Sequence, residues 1–127
     1  MRIAIADDEE TIRDFLSTLL SEAGHRCLVY RDGRELVNGL QRDTFDLIIV
    51  DWMMPGMSGL ELLRWIRSSI NSCPPVIMLT SRSEKKDIAE ALNAGADDYI
   101  VKPEARNVIL ARVDAVMRRT GTQAALP

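Results

Sequence analysis

The chain is poor in cysteine, has no surplus of basic residues and has no long apolar run. Its two cysteines, Cys27 and Cys73, lie far apart without metal-type spacing. They read as core or surface thiols of a reducing cytoplasm. Lys and Arg number 16 against 19 Asp and Glu, a net charge of -3, with a pI near 5.2. That balance argues against a basic face for gripping nucleic acid directly. No apolar stretch approaches the roughly 20 residues that cross a bilayer. Met1-Arg2-Ile3-Ala4 leads into a strand without a signal-peptide pattern, so the expected setting is cytoplasmic, with no membrane partner. There is no internal repeat and no low-complexity block.

What remains is an ordinary balance of 46% hydrophobic and 28% charged residues over 127 positions, enough for one domain with a real core. Short apolar runs alternate with segments of helical period. The runs are Ile3-Ala4-Ile5-Ala6, Cys27-Leu28-Val29-Tyr30, Leu47-Ile48-Ile49-Val50, Val76-Ile77-Met78-Leu79-Thr80 and Tyr99-Ile100-Val101. The first helix carries Ile12, Phe15, Leu16, Leu19, Leu20 and Ala23, and Gly24 ends it. Asp32 caps the second and Ser58 the third, and Ser81 or Ser83 opens the fourth. The fourth is Ala-rich, with Ile88 and Leu92 as its only large apolar anchors, and is expected to be the loosest element. The last carries Val108, Ile109, Val113, Val116 and Met117, and residues 120–127 read as a tail or the start of a linker. Five strand–helix alternations with short joins predict βαβ units, a parallel sheet and helices on both faces.

In such a sheet, ligands bind beyond the carboxyl ends of the strands. Strand one ends in Asp7-Asp8, strand three in Asp51, strand four in Thr80, and strand five is followed by Lys102. Each is ordinary alone: an acidic pair before a helix matches the dipole, an Asp after a strand turns the chain, a Lys before Pro is solvated. Together they place three carboxylates, a hydroxyl and an ammonium at one edge. Carboxylates about 4 Å apart repel by roughly 4 kcal/mol per pair at an effective dielectric of 20. A bound hard cation or a retained proton relieves this, and few oxygen ligands with open positions suit magnesium. Asp51 is then a competent nucleophile towards phosphorus, with Lys102 and Thr80 placed to hold phosphoryl oxygens.

These residues resemble the receiver domain of two-component response regulators. The resemblance covers nearly the whole chain. It rests on Asp7-Asp8, on Asp51 with Met54-Pro55-Gly56-Met57-Ser58-Gly59, on Leu79-Thr80, and on Gly95-Ala96-Asp97-Asp98-Tyr99 with Lys102-Pro103. It implies a flavodoxin-like (βα)5 three-layer sandwich with strand order 2-1-3-4-5, a receiver domain over residues 1–119, and no enzyme activity beyond its own phosphorylation and dephosphorylation. Asp51 would accept phosphate from a sensor histidine kinase. Asp7, Asp8, Asp51 and the Met53 carbonyl would hold Mg2+, or Mn2+ in its place. Thr80 and Lys102 would bind the phosphoryl group, Tyr99 would be the aromatic switch, and Lys102-Pro103 would be cis. Met53 and Arg82 occupy the positions that tune hydrolysis of the aspartyl phosphate. With Tyr99 they point to the winged-helix transcription-factor class. The switch would act through the helix 4/strand 5/helix 5 face on an output domain, attached or separate.

Glu104 departs from the class, which usually has Phe after Lys-Pro. The first turn of the last helix then lacks an apolar anchor, which bears on the class's usual dimer surface and not on the phosphorylation site. A homodimer formed on phosphorylation would use Val108 and Ile109 beside the basic Arg112, Arg118 and Arg119. Three rival readings compete. A haloacid-dehalogenase-type magnesium phosphatase needs a second Asp where Met53 stands. A flavodoxin-like cofactor binder needs a phosphate loop where Asp7-Asp8-Glu9-Glu10 stands. A pseudo-receiver that serves only as an interaction module typically lacks a core residue, and all five are present.

Overall fold

The computed structural model describes residues 1–120, so residues 121–127 of the expected tail lie outside the described residues. The chain runs β1 (Arg2–Ala6), α1 (Glu10–Glu22), β2 (Arg26–Tyr30), α2 (Gly33–Leu40), β3 (Leu47–Val50), α3 (Gly59–Ser69), β4 (Val76–Thr80), α4 (Lys85–Asn93), β5 (Asp98–Val101) and α5 (Arg106–Arg119). All strand pairs are parallel, in the order β2-β1-β3-β4-β5. This is the flavodoxin-like architecture the sequence implied.

Side chains alternate across each strand, which divides the core in two. Ile3, Ile5, Leu47, Ile49, Ile77, Leu79 and Ile100 pack against α1 and α5 through Leu16, Leu20, Val113 and Met117. Ala4, Ala6, Ile48, Val50, Val76, Met78 and Tyr99 pack against Leu36 of α2, Leu62, Leu63 and Ile66 of α3, and Ala91 of α4. Buried on both faces, the central strands β1, β3 and β4 read as continuous apolar runs.

The helix ends follow local chemistry, with corrections at the start of α4 and on the faces of three helices. Asp32 accepts from the Glu35 N–H, and Ser58 and Glu61 form a reciprocal capping box. Gly24, at φ +95°, takes the left-handed turn that ends α1, and the N–H of His25 beyond it returns to the Leu20 carbonyl. Neither Ser81 nor Ser83 caps α4: Glu84 is the cap, without a side-chain bond, so α4 begins later than expected. On α4, Leu92 is 44% exposed and anchors nothing, while Ala91 and Asp87 are the buried residues. Ile88 is only partly buried. On α5, Ile109 belongs to the core at 2% exposure, so it is no part of a surface available to a dimer. Glu104 lies before α5 and accepts its own neighbour's N–H, from Ala105. Ala23 caps α1 at the surface and does not extend its buried stripe.

Candidate functional site

The register of β1 on β3 pairs Ala6 with Val50, so the next residues, Asp7 and Asp51, emerge side by side. The Asp51 N–H donates to the Ala6 carbonyl at 3.0 Å and fixes this. Asp7 and Asp51 continue the alternation of Ile5 and Ile49, and Lys102 continues that of Ile100. The three therefore point to the same side of the sheet. The Lys102 ammonium donates to Asp7 Oδ2 at 3.1 Å and to Asp51 Oδ2 at 3.3 Å. Asp7 and Asp51 are buried and Lys102 nearly so, with side chains 3%, 4% and 15% exposed. The Lys102-Pro103 bond is cis.

Asp7, Asp8, Glu9 and Asp51 each offer a carboxylate oxygen, and these oxygens lie within 4.8 Å of one another. Asp8 and Glu9 are exposed, while Asp7 and Asp51 form the inner wall. The donors are hard, anionic and open on one side, a set that fits magnesium or manganese. Glu9 was not singled out from the sequence. It reads there as a first-turn acid matching the helix dipole, and the only hint of more is its place directly after Asp7-Asp8.

Thr80 and Tyr99 follow the opposite alternation, on the side of α3 and α4. Thr80 is fully buried, and its hydroxyl accepts from the Arg82 N–H at 3.3 Å. The Tyr99 ring is buried, and its hydroxyl donates to the Arg82 carbonyl at 2.8 Å. Arg82 and Met53, expected to tune hydrolysis, touch: guanidinium Nη1 lies 3.4 Å from Met53 Sδ. The Met53 N–H donates to Asp51 Oδ1 at 3.2 Å. The structure thus joins Asp7, Asp8, Asp51 and Lys102 directly, reaches Arg82 through Met53, and reaches Thr80 and Tyr99 through Arg82 in turn.

The electrostatics reflect crowding. Burial raises the Asp7 carboxyl, and the Asp51 charge adds to that, outweighing the Glu9 N–H and Lys102. Burial lowers the Lys102 ammonium, but Asp7 and Asp51 more than compensate and hold it above its usual value. A carboxyl raised by folding makes the fold less stable as pH climbs from 3.8 through the raised folded value. Above that window the ionised Asp7 is a standing cost. Asp7→Asn is therefore expected to raise Tm at neutral pH without divalent metal, by about 2–5 °C for roughly 1 kcal/mol. The gain should shrink in acid, where Asp7 is protonated anyway. Scanning calorimetry at the two pH values checks this, and an equal gain at both would contradict it.

The chain matches the response regulator receiver domain family over residues 3–114. It is a response regulator receiver domain. The receiver is 41% identical over 120 residues to the phosphate regulon transcriptional regulatory protein PhoB of Pseudomonas aeruginosa, covering 94% of this chain and 52% of that protein. It is 40% identical over 124 residues to PhoB of Escherichia coli K12, covering 97% and 54%. These relatives are PhoB-type regulators, the winged-helix class that the residues at Met53, Arg82 and Tyr99 pointed to. The receiver spans about half the length of the curated relatives it matches. Among solved structures it superposes on the Francisella response regulator 1452 receiver domain with TM-score 0.86 and 34% identity, covering 94% of this chain and 98% of that one. A BeF3-activated DrrB receiver domain gives TM-score 0.83 and 31% identity, covering 92% and 97%. Among the described residues no helix is long and apolar enough to cross a membrane.

Proposed function

We propose that this receiver is a phosphoacceptor switch whose acceptor is Asp51. The observation that carries this is the Lys102 ammonium shared between Asp7 and Asp51, beside an open acidic cluster. An Asp51 oxygen attacks the phosphorus of a phosphohistidine on a sensor histidine kinase. The P–O bond forms as the P–N bond breaks, and the departing imidazole nitrogen takes a proton. Asp7, Asp8, Asp51 and the Met53 carbonyl would hold magnesium, which when bound neutralises phosphoryl oxygens. Lys102 pairs with a second phosphoryl oxygen, and the Thr80 hydroxyl leaves the Arg82 amide to reach a third. The fold of the BeF3-activated relative supports the reading, since that anion is a phosphoryl mimic.

The energy available to the switch is only just sufficient. Charge-assisted bonds to Thr80 and Lys102 contribute roughly 1.5–3 kcal/mol each. Moving a two-state domain from 1:99 to 99:1 takes about 5.5 kcal/mol. Together they reach about 3–6 kcal/mol, which just suffices if they exist only in the active state. The readout is the α4/β5/α5 face, where α4 buries no large apolar side chain fully. That face acts on an output domain, as the greater length of the transcriptional regulators it matches suggests. We place the protein in the cytoplasm, with a kinase as its partner and a homodimer as one form of the phosphorylated state.

Intact mass after incubation with acetyl phosphate and magnesium tests the reading. One phosphoryl group should be gained, and the gain lost with chelator and in Asp51→Asn. No gain on the intact protein would favour the pseudo-receiver reading. Steady release of inorganic phosphate from added phosphomonoesters would favour the phosphatase.

A further inference from the structure

Asp87 is a carboxylate in the first turn of α4, yet it is buried, with its side chain 7% exposed. Its Oδ2 accepts from Arg82 Nε at 3.1 Å. The Arg82 side chain is 39% exposed. Its guanidinium carbon stands 4.7 Å from the centroid of the Trp52 ring, a cation–π contact with the residue next to Asp51. The same guanidinium touches Met53 Sδ, and Met53 in turn holds Asp51 through its N–H. Arg82 also lines a groove of about 450 Å3 with Asp8, Trp52, Met53 and Met54, on the open side of the acidic cluster. Its backbone is pinned at both ends, by Thr80 at the N–H and by Tyr99 at the carbonyl. In the unphosphorylated state the backbone is thus held, and the partly exposed guanidinium is the part that can turn.

We propose that Asp87 and the phosphoryl group on Asp51 compete for the Arg82 guanidinium, with Asp87 acting as a positioning residue that holds Arg82 back in the unphosphorylated state. The proposal rests on Asp51 being the acceptor. One cation serves two anions. Asp87 carries a single charge, whereas the phosphoryl group brings about -1.5 to -2 and three acceptor oxygens, and Arg is suited to a two-pronged grip on them. When Arg82 turns to the phosphoryl group, Asp87 is left as a buried carboxylate without its cation, and the first turn of α4 loosens in response. Phosphorylation thus reaches α4 by a route separate from the Thr80 hydroxyl. The buried Tyr99 hydroxyl reports the shared neighbourhood: burial raises its pKa, Asp87 raises it further, Arg82 opposes, and Asp51 adds to the rise.

Beryllofluoride with magnesium is the probe, and its affinity is an equilibrium reading. Asp87→Asn removes the competitor and should tighten beryllofluoride binding by about two- to fivefold, the range for a partly exposed ion pair. Asp87→Glu keeps the charge and should stay within about twofold of the unaltered protein, on the same scale. In an Arg82→Met background, or Arg82→Gln if that variant melts too low, Asp87→Asn should change nothing. Hydrogen exchange in the first turn of α4 should quicken on beryllofluoride binding in the unaltered protein and quicken less in the Arg82 variant, which keeps only the Thr80 route. An unchanged or weakened affinity in Asp87→Asn, or an equal gain with Arg82 absent, overturns the competition while leaving the acceptor reading intact. Failure of the unaltered protein to bind beryllofluoride at all overturns both.

Discussion

Lys102→Met is expected to destabilise the fold by about 3 kcal/mol in the absence of metal, and magnesium should restore much of the loss. The ammonium is the cation shared by two buried carboxylates, at 3.1 and 3.3 Å. Its removal leaves Asp7 and Asp51 side by side with nothing between them but their repulsion. Breaking a buried pair from one side typically costs about 3–5 kcal/mol, because the remaining charge stays desolvated. Asp7 is already raised by burial, so it will take up a proton more readily in the variant, which trims the loss at acidic pH. In the unaltered protein the lysine contribution has the opposite dependence. Its folded pKa lies above 10.5, so the stabilisation is complete below 10.5 and is lost as pH rises through the folded value. Across the neutral range it is therefore fully present.

The metal arm of this prediction follows from the same geometry. In the unaltered protein the ammonium repels a divalent ion and occupies two of the oxygens it would use. The Met variant should bind magnesium about tenfold more tightly, roughly 1.4 kcal/mol, and show a larger rise in Tm on adding it. Denaturant titrations with and without magnesium measure both effects. A variant as stable as the parent, with unchanged magnesium affinity, would show that the lysine does not hold the cluster together.

Gly59→Ala is expected to cost about 3 kcal/mol or more and to lower Tm by at least roughly 6 °C. Gly59 opens α3, and its N–H donates to the Trp52 carbonyl at 2.9 Å. A Cβ there would fall on the Asp51 carbonyl oxygen and lie 2.8 Å from both the Asp51 carbonyl carbon and Trp52 Cα. All of these are backbone atoms, so no side chain can swing aside to make room. The helix must move off the end of β3, and Asp51 moves with it. Phosphoryl uptake should fall along with stability.

Gly56 in the same loop is the control. It has φ +80°, but a methyl group added there would meet nothing within 4 Å. Gly56→Ala therefore bears only the left-handed backbone cost of about 1–2 kcal/mol. Chemical denaturation of the two variants separates close approach from backbone conformation. Equal losses would remove the case that α3 is seated on the Asp51 strand end through this one contact.

Much of the architecture was legible because its signals are local. The run Leu47-Ile48-Ile49-Val50 reads as a strand buried on both faces wherever it occurs, and Ser58 with Glu61 caps a helix whatever lies beside it. Misreadings arose where a distant neighbour decides. Leu92 looks like an anchor by type, yet α4 turns Ala91 and Asp87 inward. Ile109 looked available to a partner, yet α5 buries it against the sheet. Ser83 has the chemistry of a cap, but the backbone becomes helical only after Glu84.

The order of residues along the chain determined which groups stand at the strand ends: Asp7, Asp8, Asp51, Thr80 and Lys102. Strand and helix periods are properties of neighbouring residues, and so is the position at which each apolar run stops. Only the tertiary structure decided how those groups sort. Strand order and register put Asp7, Asp51 and Lys102 on one side of the sheet and Thr80 and Tyr99 on the other. They also brought Lys102 to Asp7 across 95 positions and drew Glu9 into the carboxylate cluster. Asp87 reads from the chain as one more acid in a helix's first turn. It became the buried partner of Arg82 because charge pairing at a few ångströms depends on which segments the fold brings together, and no local period encodes that.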